Sequence, residues 1–484
     1  MTIMKTIYNK LIVTFTILFI SGFSYSQSNT WYRVFSNYEI SEFSKAIESS
    51  DGNYVAVGDR RTGGIFKVFI AKFNRYGDTI WTRLFNEDLI SYYDSYWIDE
   101  TSDKGFIISG RGSDTAGGSG LLLKIDSSGN YLWHKYFGGS SGRNQCTKEL
   151  EDKGFIILVN TEYFGPTMDI YIIRTDSLGY PLWSRRYGGD NYAEFSREII
   201  KTGNSGFVIA GTVYPGHENI LLMKISPTGD SLWSKTYSEF LSSEGYSVDN
   251  TSDGGFIIGG TCDSLDNNKK KSYIIKTDSL GNIQWTRKYT TNFYEWCFSV
   301  RSIIGGRYVM CGMSDSLANS YERAIIRVID QYGNILKEKY YRPLSDQNAF
   351  YSVEKSTDRG FILCGFADGG SVKAYIAKTD SNLEIKPVGI SSINEVISDF
   401  SLYQNYPNPF NPSTVISYQL AVSSFVKLII YDALGKELAT LVNELQPAGQ
   451  YSIEWIAGKY PSGVYFYTIN TPEFTDTRRM MLLK

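Results

Sequence analysis

Histidine and cysteine are scarce, with two His and five Cys in 484 residues. His134 and His217 lie far apart with no nucleophile motif beside either, so no Ser-His-Asp or Cys-His set assembles, no catalytic residue is assigned and a His-rich metal site is excluded. Cys146, Cys262, Cys297, Cys311 and Cys364 are odd in number and unevenly spaced, which supports neither a disulfide framework nor a zinc motif. No cofactor is implied. A basic excess is missing as well: the formal charge is −3, and the first 26 residues hold Lys5 and Lys10 but no acid, so without them it is −3 − 2 = −5. That balance lacks the footprint of a nucleic-acid binder. No convincing helical period appears in the repeated part of the chain, and no segment after the first 26 residues is apolar for long enough to span a bilayer.

Aromatic residues are plentiful instead, with 37 Tyr, 27 Phe and 9 Trp, and Gly (45) far outnumbers Pro (12). Such usage favours short aromatic strands joined by tight turns. The chain is too long for one ordinary core, so several domains or a laterally growing repeat are expected. The start, "MTIMKTIYNKLIVTFTILFISGFSYSQ", has a lysine-bearing lead, an apolar stretch from Leu11 to Ile20, and small residues at Ser24 and Ser26. It reads as a secretory signal over residues 1–26.

Residues 27–387 repeat. Gly77, Gly129, Gly179, Gly229, Gly281 and Gly333 recur at spacings of 52, 50, 50, 52 and 52, and four residues beyond them stand Trp81, Trp133, Trp183, Trp233, Trp285 and, exceptionally, Lys337. An aromatic opens an apolar run seven times, at Tyr54, Phe106, Phe155, Phe207, Phe256, Tyr308 and Phe361. Each unit holds four candidate strands, as in "GYSVDNT", "GGFIIGGT", "SYIIKTD" and "NIQWTRKY", which matches a β-propeller blade. The seventh unit lacks its tryptophan strand, while "WYRVF" (31–35) stands alone before the first, so the N-terminal strand is expected to close a seven-bladed ring and remove both open edges. With "DGGFIIGGT", "YIIKTDSLGN" and "WTRKY", these units resemble the secreted seven-bladed β-propeller repeats of bacterial surface proteins, a likeness that specifies fold and not activity.

Two repeated patterns invite a chemical reading. Two residues after each tryptophan position comes a cation (Arg33, Arg83, Lys135, Arg185, Lys235, Arg287, Lys339) and four after it an aromatic, all on one face of a strand. The cations are expected to pack their stems between aromatics and pair their heads with Glu42, Asp94, Asn144, Glu194, Glu244, Glu295 and Gln347. The Asp-x-x-Gly stretches ("TDSLGN") offer a carboxylate but lack the alternating oxygens and closing Glu of a calcium loop, and copies starting with Asn74 and Ser226 fit a turn cap better. No metal is assigned.

The second-to-third loops ("GDRRTGGIF", "NTEYFGPTMD", "TVYPGHEN", "CDSLDNNKKKS") are irregular, and together with the inter-blade connections they form one face. Recognition usually sits on such loops, which makes Tyr92, Tyr93, Tyr163, Tyr192, Tyr214 and Tyr294 the candidate residues for an unknown glycan or protein ligand. Three or more acids converging there would mark a hydrolase or lyase of polysaccharides or peptides at the channel mouth.

After a linker (388–399) the composition shifts to "FSLYQNYPNPFNPST", followed by six or seven short strands in residues 400–484 that predict a small Ig-like β-sandwich. "YPNPFNPST" with Pro407, Asn408 and Pro409, "YDALGKEL" with Gly435, "YPSGVYFYTI" with Gly463, and "TRRMMLLK" ending at Lys484 resemble the type A C-terminal sorting domain of the type IX secretion system. The resemblance implies passage through the periplasm, handling by the type IX machinery and its sortase-like peptidase, and release or attachment at the outer surface. The expectation is an all-β, exported cell-surface or secreted binding or adhesion protein without a transmembrane segment.

Overall fold

The structure is a computed structural model. It describes residues 29–483 apart from 36–39, 86–92, 115–116, 140–141, 163–166, 189–190, 204–205, 241, 264–268, 290–293, 316–321, 345–346, 386–399, 406, 421–423 and 447–448. The signal and linker segments therefore lie outside the described residues. Every named regular element is a β-strand.

Residues 31–379 form a β-propeller whose described strands make seven four-stranded antiparallel sheets. Blade 1 runs Ile40–Glu48, Tyr54–Thr62, Ile65–Phe73 and Thr79–Phe85, paired in that order, and blades 2 to 6 begin at Tyr93–Glu100, Arg143–Glu149, Glu194–Lys201, Ser243–Asn250 and Glu295–Ile303. Blade 7 takes Asn348–Lys355, Phe361–Asp368 and Val372–Thr379 from the end of the domain and Trp31–Val34 from its beginning. The N-terminal strand pairs antiparallel with the last, Trp31 opposite Lys378 and Val34 opposite Tyr375. First strands pack on one another around the axis, and the cycle returns from Asn348–Lys355 to Ile40–Glu48. Middle strands lie between neighbouring blades: all seven residues of Phe155–Thr161 are buried, whereas the outer Pro181–Tyr187 has none buried. That explains why the middle strands read as continuous apolar runs and not as alternation.

The recurrent tryptophan is a joint between blades. A Cβ on Gly129, Gly179, Gly229, Gly281 or Gly333 would come within 2.6–3.1 Å of Trp81, Trp133, Trp183, Trp233 or Trp285 of the preceding blade, and Gly77 meets Trp31 in the same way. Each of these glycines has a φ between 77° and 86°, so the turn needs a left-handed residue and the indole needs the vacancy. The same indoles lie on the aromatic that opens the next blade's second strand, as with Trp31–Tyr54 at 5.8 Å and Trp133–Phe155 at 5.9 Å. Trp31, at the closure, is wholly buried.

The joint between blades 6 and 7 is built otherwise. Lys337 replaces the indole and donates to the Ser381 carbonyl at 2.9 Å and to Asn382 at 2.6 Å, while the glycine position is Leu383, buried, with a φ of 64°. Across the strand, the other six blades oppose a cation to the tryptophan (Lys72–Trp81, Lys124–Trp133, Arg174–Trp183, Lys224–Trp233, Lys276–Trp285, Lys378–Trp31), and blade 6 inverts the pair as Val328–Lys337. Gly305 stands where Asp51, Asp103, Asp253 and Asp358 hold that cation in other blades.

The C-terminal region packs a three-stranded sheet (Ser401–Leu402, Ser413–Leu420, Gly449–Ile456) with a four-stranded one (Glu437–Gln446, Ser424–Tyr431, Gly463–Asn470, Thr475–Leu482) around Ile416, Tyr418, Trp455, Leu428, Tyr467 and Ile469. The proline-rich stretch is tied to the last strand: Met481 N–H donates to Asn408 Oδ1 at 2.9 Å, and Phe410 and Leu483 exchange backbone bonds with that region at 3.0 Å. The Asn408–Pro409 peptide is cis. Gly435 turns at φ 81° beside the cap Asp432, whereas nothing in the structure explains a glycine at Gly463. Lys484 lies outside the described residues.

Candidate functional site

The repeated polar groups of the regular face are spent on structure. Asp278 Oδ1 accepts Leu280 N–H at 2.9 Å and Asn282 N–H at 2.8 Å, and Oδ2 accepts the Asn282 amide at 2.9 Å. These bonds hold its carboxyl below the usual carboxylate range. Asn74 and Ser226 cap their turns through the same two N–H groups. This is the hydrogen-bond pattern of a backbone cap.

The repeated cations also serve the joints, and not through the acids expected of them. Arg33 and Arg83 donate Nε to the carbonyls of Gly77 and Gly129 at 2.9 and 3.2 Å. Where the aromatic two residues further on is Tyr, its hydroxyl takes that carbonyl instead, as in Tyr237 to Gly281 at 2.8 Å and Tyr289 to Gly333 at 3.0 Å. The heads reach residues beyond the next blade's glycine, Asp78 from Arg33 and Glu384 from Lys339. Glu42, Glu194, Glu244 and Glu295 sit at the starts of axial strands, at the other end of the ring, so they find other partners: Glu295 holds the buried Arg327, and Glu244 holds Lys270.

On the irregular face, Tyr92 and Tyr163 lie outside the described residues, and Tyr93 opens the first strand of blade 2. Tyr192 and Tyr294 are exposed, at 43% and 38%. Tyr294 stacks on Trp296 with centroids 5.9 Å apart and planes 15° from parallel, and Lys269 lies 5.6 Å over its ring. Tyr214 is half-buried against Phe195 at 5.4 Å, and its N–H donates to the Ala193 carbonyl beside Tyr192. Three acids do converge here, Glu218, Glu244 and Asp263, but each lies 3.1–3.4 Å from the single ammonium of Lys270. Burial raises Glu218, yet Ser242 and Lys270 outweigh it and leave the carboxyl below its ordinary range. A group so held is a loop pin and not a proton donor. Among the described residues, no group of three or more His, Cys, Asp and Glu is arranged to hold a metal.

The feature missed by sequence reasoning lies on the axis. Every first strand carries a bulge at the same place, and the skipped residues are Ser44, Tyr96, Gln145, Arg197, Tyr246, Phe298 and Tyr351. A bulge leaves one residue unpaired and re-aims its side chain. All seven line one axial cavity of about 430 Å³. Tyr246, Phe298 and Tyr351 meet edge to face at 5.5 Å in consecutive blades, and Arg197 extends the wall by lying 5.4 Å over Tyr246. The repeated "YSVD", "FSVR" and "YSVE" of blades 5 to 7 carried this signal, since an aromatic recurs there before a small polar residue.

Buried charge floors the cavity. Arg301 donates to Glu198 at 2.7 Å and to Glu354 at 2.8 Å, Ser247 donates to Glu198 at 2.8 Å, and Lys45 pairs with Glu354. Blades 1, 4, 5, 6 and 7 thus meet across the axis. Burial acts to raise the Glu354 carboxyl, but Arg301 and Lys45 hold it down at about 2. First strands run from the irregular face toward the regular one, and Lys45, Glu198, Arg301 and Glu354 follow the bulge residues, so the cavity opens toward the irregular face.

Residues 404–483 match the secretion system C-terminal sorting domain. The chain thus ends in a type IX sorting domain and is exported, to the cell surface or beyond. No helix among the described residues is long and apolar enough to cross a membrane. No curated protein matches the chain in sequence. Among solved structures, PorZ, a bacterial surface component of the type IX secretion system of Porphyromonas gingivalis, aligns at 12% identity and a TM-score of 0.43, over 92% of this chain and 59% of its own. The β-propeller domain of the trilobed protease from Pyrococcus furiosus aligns at 10% and 0.41, over 72% of this chain and 99% of its own. This chain therefore spans about three fifths of PorZ.

Proposed function

We propose that this exported propeller is a binding or adhesion protein that presents its irregular face and axial mouth to a ligand outside the cell. Residues 1–26 serve as the signal, 27–387 as the propeller, 388–399 as a linker and 400–484 as the sorting domain handled by the type IX machinery and its sortase-like peptidase. One observation carries the reading. The repeated polar groups of the regular face are taken up by caps and joints, whereas Tyr192 and Tyr294 are exposed among loops that differ from blade to blade, on the face toward which the axial cavity opens. Aromatic anchors on rigidly held loops are the usual carriers of contact energy. Tyr92, Tyr93, Tyr163 and Tyr214 are assigned to the same face. An enzymatic role at the channel mouth draws less support, because the acids lining the cavity are engaged, Asp59 by Ser95, Glu198 by Arg301 and Ser247, and Glu42 by Tyr351, while Glu218, Glu244 and Asp263 of the nearby loops are bound to Lys270.

Screening the secreted full chain against polysaccharides and surface extracts, with product release followed in parallel, tests the assignment. Binding without product release, weakened at least tenfold by joint Tyr192→Ala and Tyr294→Ala substitution, is the expected result; turnover of any polymer or peptide overturns it. Removing residues 400–484 should leave the propeller in the periplasm.

A further inference from the structure

We infer that the axial cavity is a dead-end pocket for the uncharged terminal unit of a glycan chain. The inference deepens the binding assignment and rests on it. The wall of Tyr246, Phe298 and Tyr351 offers apolar rings, and its two hydroxyls are already engaged, Tyr246 with Glu244 at 2.8 Å and Tyr351 with Glu42 at 3.4 Å. Polar groups share the same space. Among the described residues the buried Ser352 Oγ has no hydrogen-bond partner, and Gln145 and the exposed Arg197 line the same space. A buried polar group is normally paired, so Ser352 calls for an occupant that supplies its partner. An apolar wall facing mixed donors and acceptors complements a sugar ring, which has C–H faces and hydroxyl edges.

Charge sets the ligand's own charge. The acids Glu42, Asp59 and Glu198 balance the bases Lys45, Arg197 and Arg301 in the lining, and Glu354 in the floor adds a further negative charge, so the pocket has no excess positive charge to offer an anion. The floor of Arg301, Glu198 and Glu354 blocks passage down the axis, so a chain enters by its end and the interior of a polymer does not fit. A volume of about 430 Å³ lies within the range of small-molecule pockets, roughly 300–1,000 Å³.

Calorimetric titration of the full secreted chain with neutral oligosaccharides (malto-, cello-, xylo- and chito-series, dimer to hexamer) and with oligogalacturonates as acidic probes tests this. At least one neutral series should bind with an affinity that changes less than threefold from dimer to hexamer, and the acidic probes should bind at least tenfold more weakly. Phe298→Leu, which keeps most of the volume but removes the ring, should weaken binding about tenfold with unchanged thermal unfolding, and Gln145→Ala about fivefold. If Phe298→Leu unfolds the ring, Arg197→Met, which keeps the stem, gives the same reading. Affinity that climbs steadily with chain length, preference for the acidic probes, or indifference to Phe298, Gln145 and Arg197 overturns the pocket. Binding lost on Tyr192→Ala and Tyr294→Ala but kept in the pocket variants sinks the pocket alone; failure of every oligosaccharide and polysaccharide to bind sinks both readings.

Discussion

Six joints of the ring seat a tryptophan on a glycine, and the seventh sets Lys337 against a turn whose glycine has become Leu383. The losses come together. Without an indole to admit, the turn no longer needs to be bare, and Leu383 fills the space while accepting a left-handed φ of 64° that costs a non-glycine residue on the order of 1 kcal/mol. Val328 and Gly305 complete the exchange, since a lysine moved to the outer strand leaves its former slot apolar and its former aspartate without a purpose. The unit of repetition is therefore the contact between blades, and a blade is defined by what its neighbour requires.

The largest effect is expected from removing the joint that closes the ring. Deleting residues 30–35 strips the buried Trp31 and the outer strand of blade 7; thermal unfolding should fall by more than about 10 °C or give way to aggregation, and an unchanged transition refutes closure. Next, Gly281→Ala puts a Cβ 2.9 Å from Trp233 at a φ of 77°, so chemical denaturation should show a loss of about 2–4 kcal/mol. The exceptional joint then offers a double-mutant cycle. Leu383→Gly empties a buried position at a loss of about 3 kcal/mol, Lys337→Trp alone drives an indole against Leu383, and the pair together should recover at least about 1 kcal/mol relative to the sum.

Acid separates the axis from the joints. Glu354 titrates at about 2 in the folded ring against an ordinary 4.5, so on acidification the unfolded chain takes the proton first. Its stabilisation is complete above about pH 4.5 and is lost as pH falls toward 2. The melting temperature should drop by several degrees more across that window in the parent chain than in Glu354→Gln. The smallest effect belongs to Tyr237→Phe, which deletes the bond to the Gly281 carbonyl at 2.8 Å and should cost about 1 kcal/mol; Phe35 and Phe85 already occupy that position where Arg33 and Arg83 serve the carbonyl.

Much of this was legible in the residues because it repeats. The strand order, the closure by "WYRVF" and the caps at Asn74, Ser226 and Asp278 follow from local periodicity and turn chemistry, which act over a few residues. What stayed hidden depends on facing elements. The partner of Trp233 is Gly281, a residue of the next blade, and spacing along one strand says nothing of that. Acids stand at matching intervals along the chain from the basic residues, yet those intervals lead to the other end of the ring. The axial bulges escaped for a related reason: Tyr246, Phe298 and Tyr351 look like ordinary alternating strand residues until seven strands converge and each must shed one position from its ladder. The cap motif also occurs outside the propeller, at Asp432 and Gly435, which marks it as general turn chemistry.

The pairing of Trp31 with Lys378 has a last bearing on how the protein is used. The closing strand begins, and the final propeller strand ends, on the regular-turn side, so the chain enters and leaves the ring at one corner. Whatever tethers, clips or pulls on either end acts from that side. The mouth of the axis points the other way, so such a load falls on the side of the ring that does not hold the pocket.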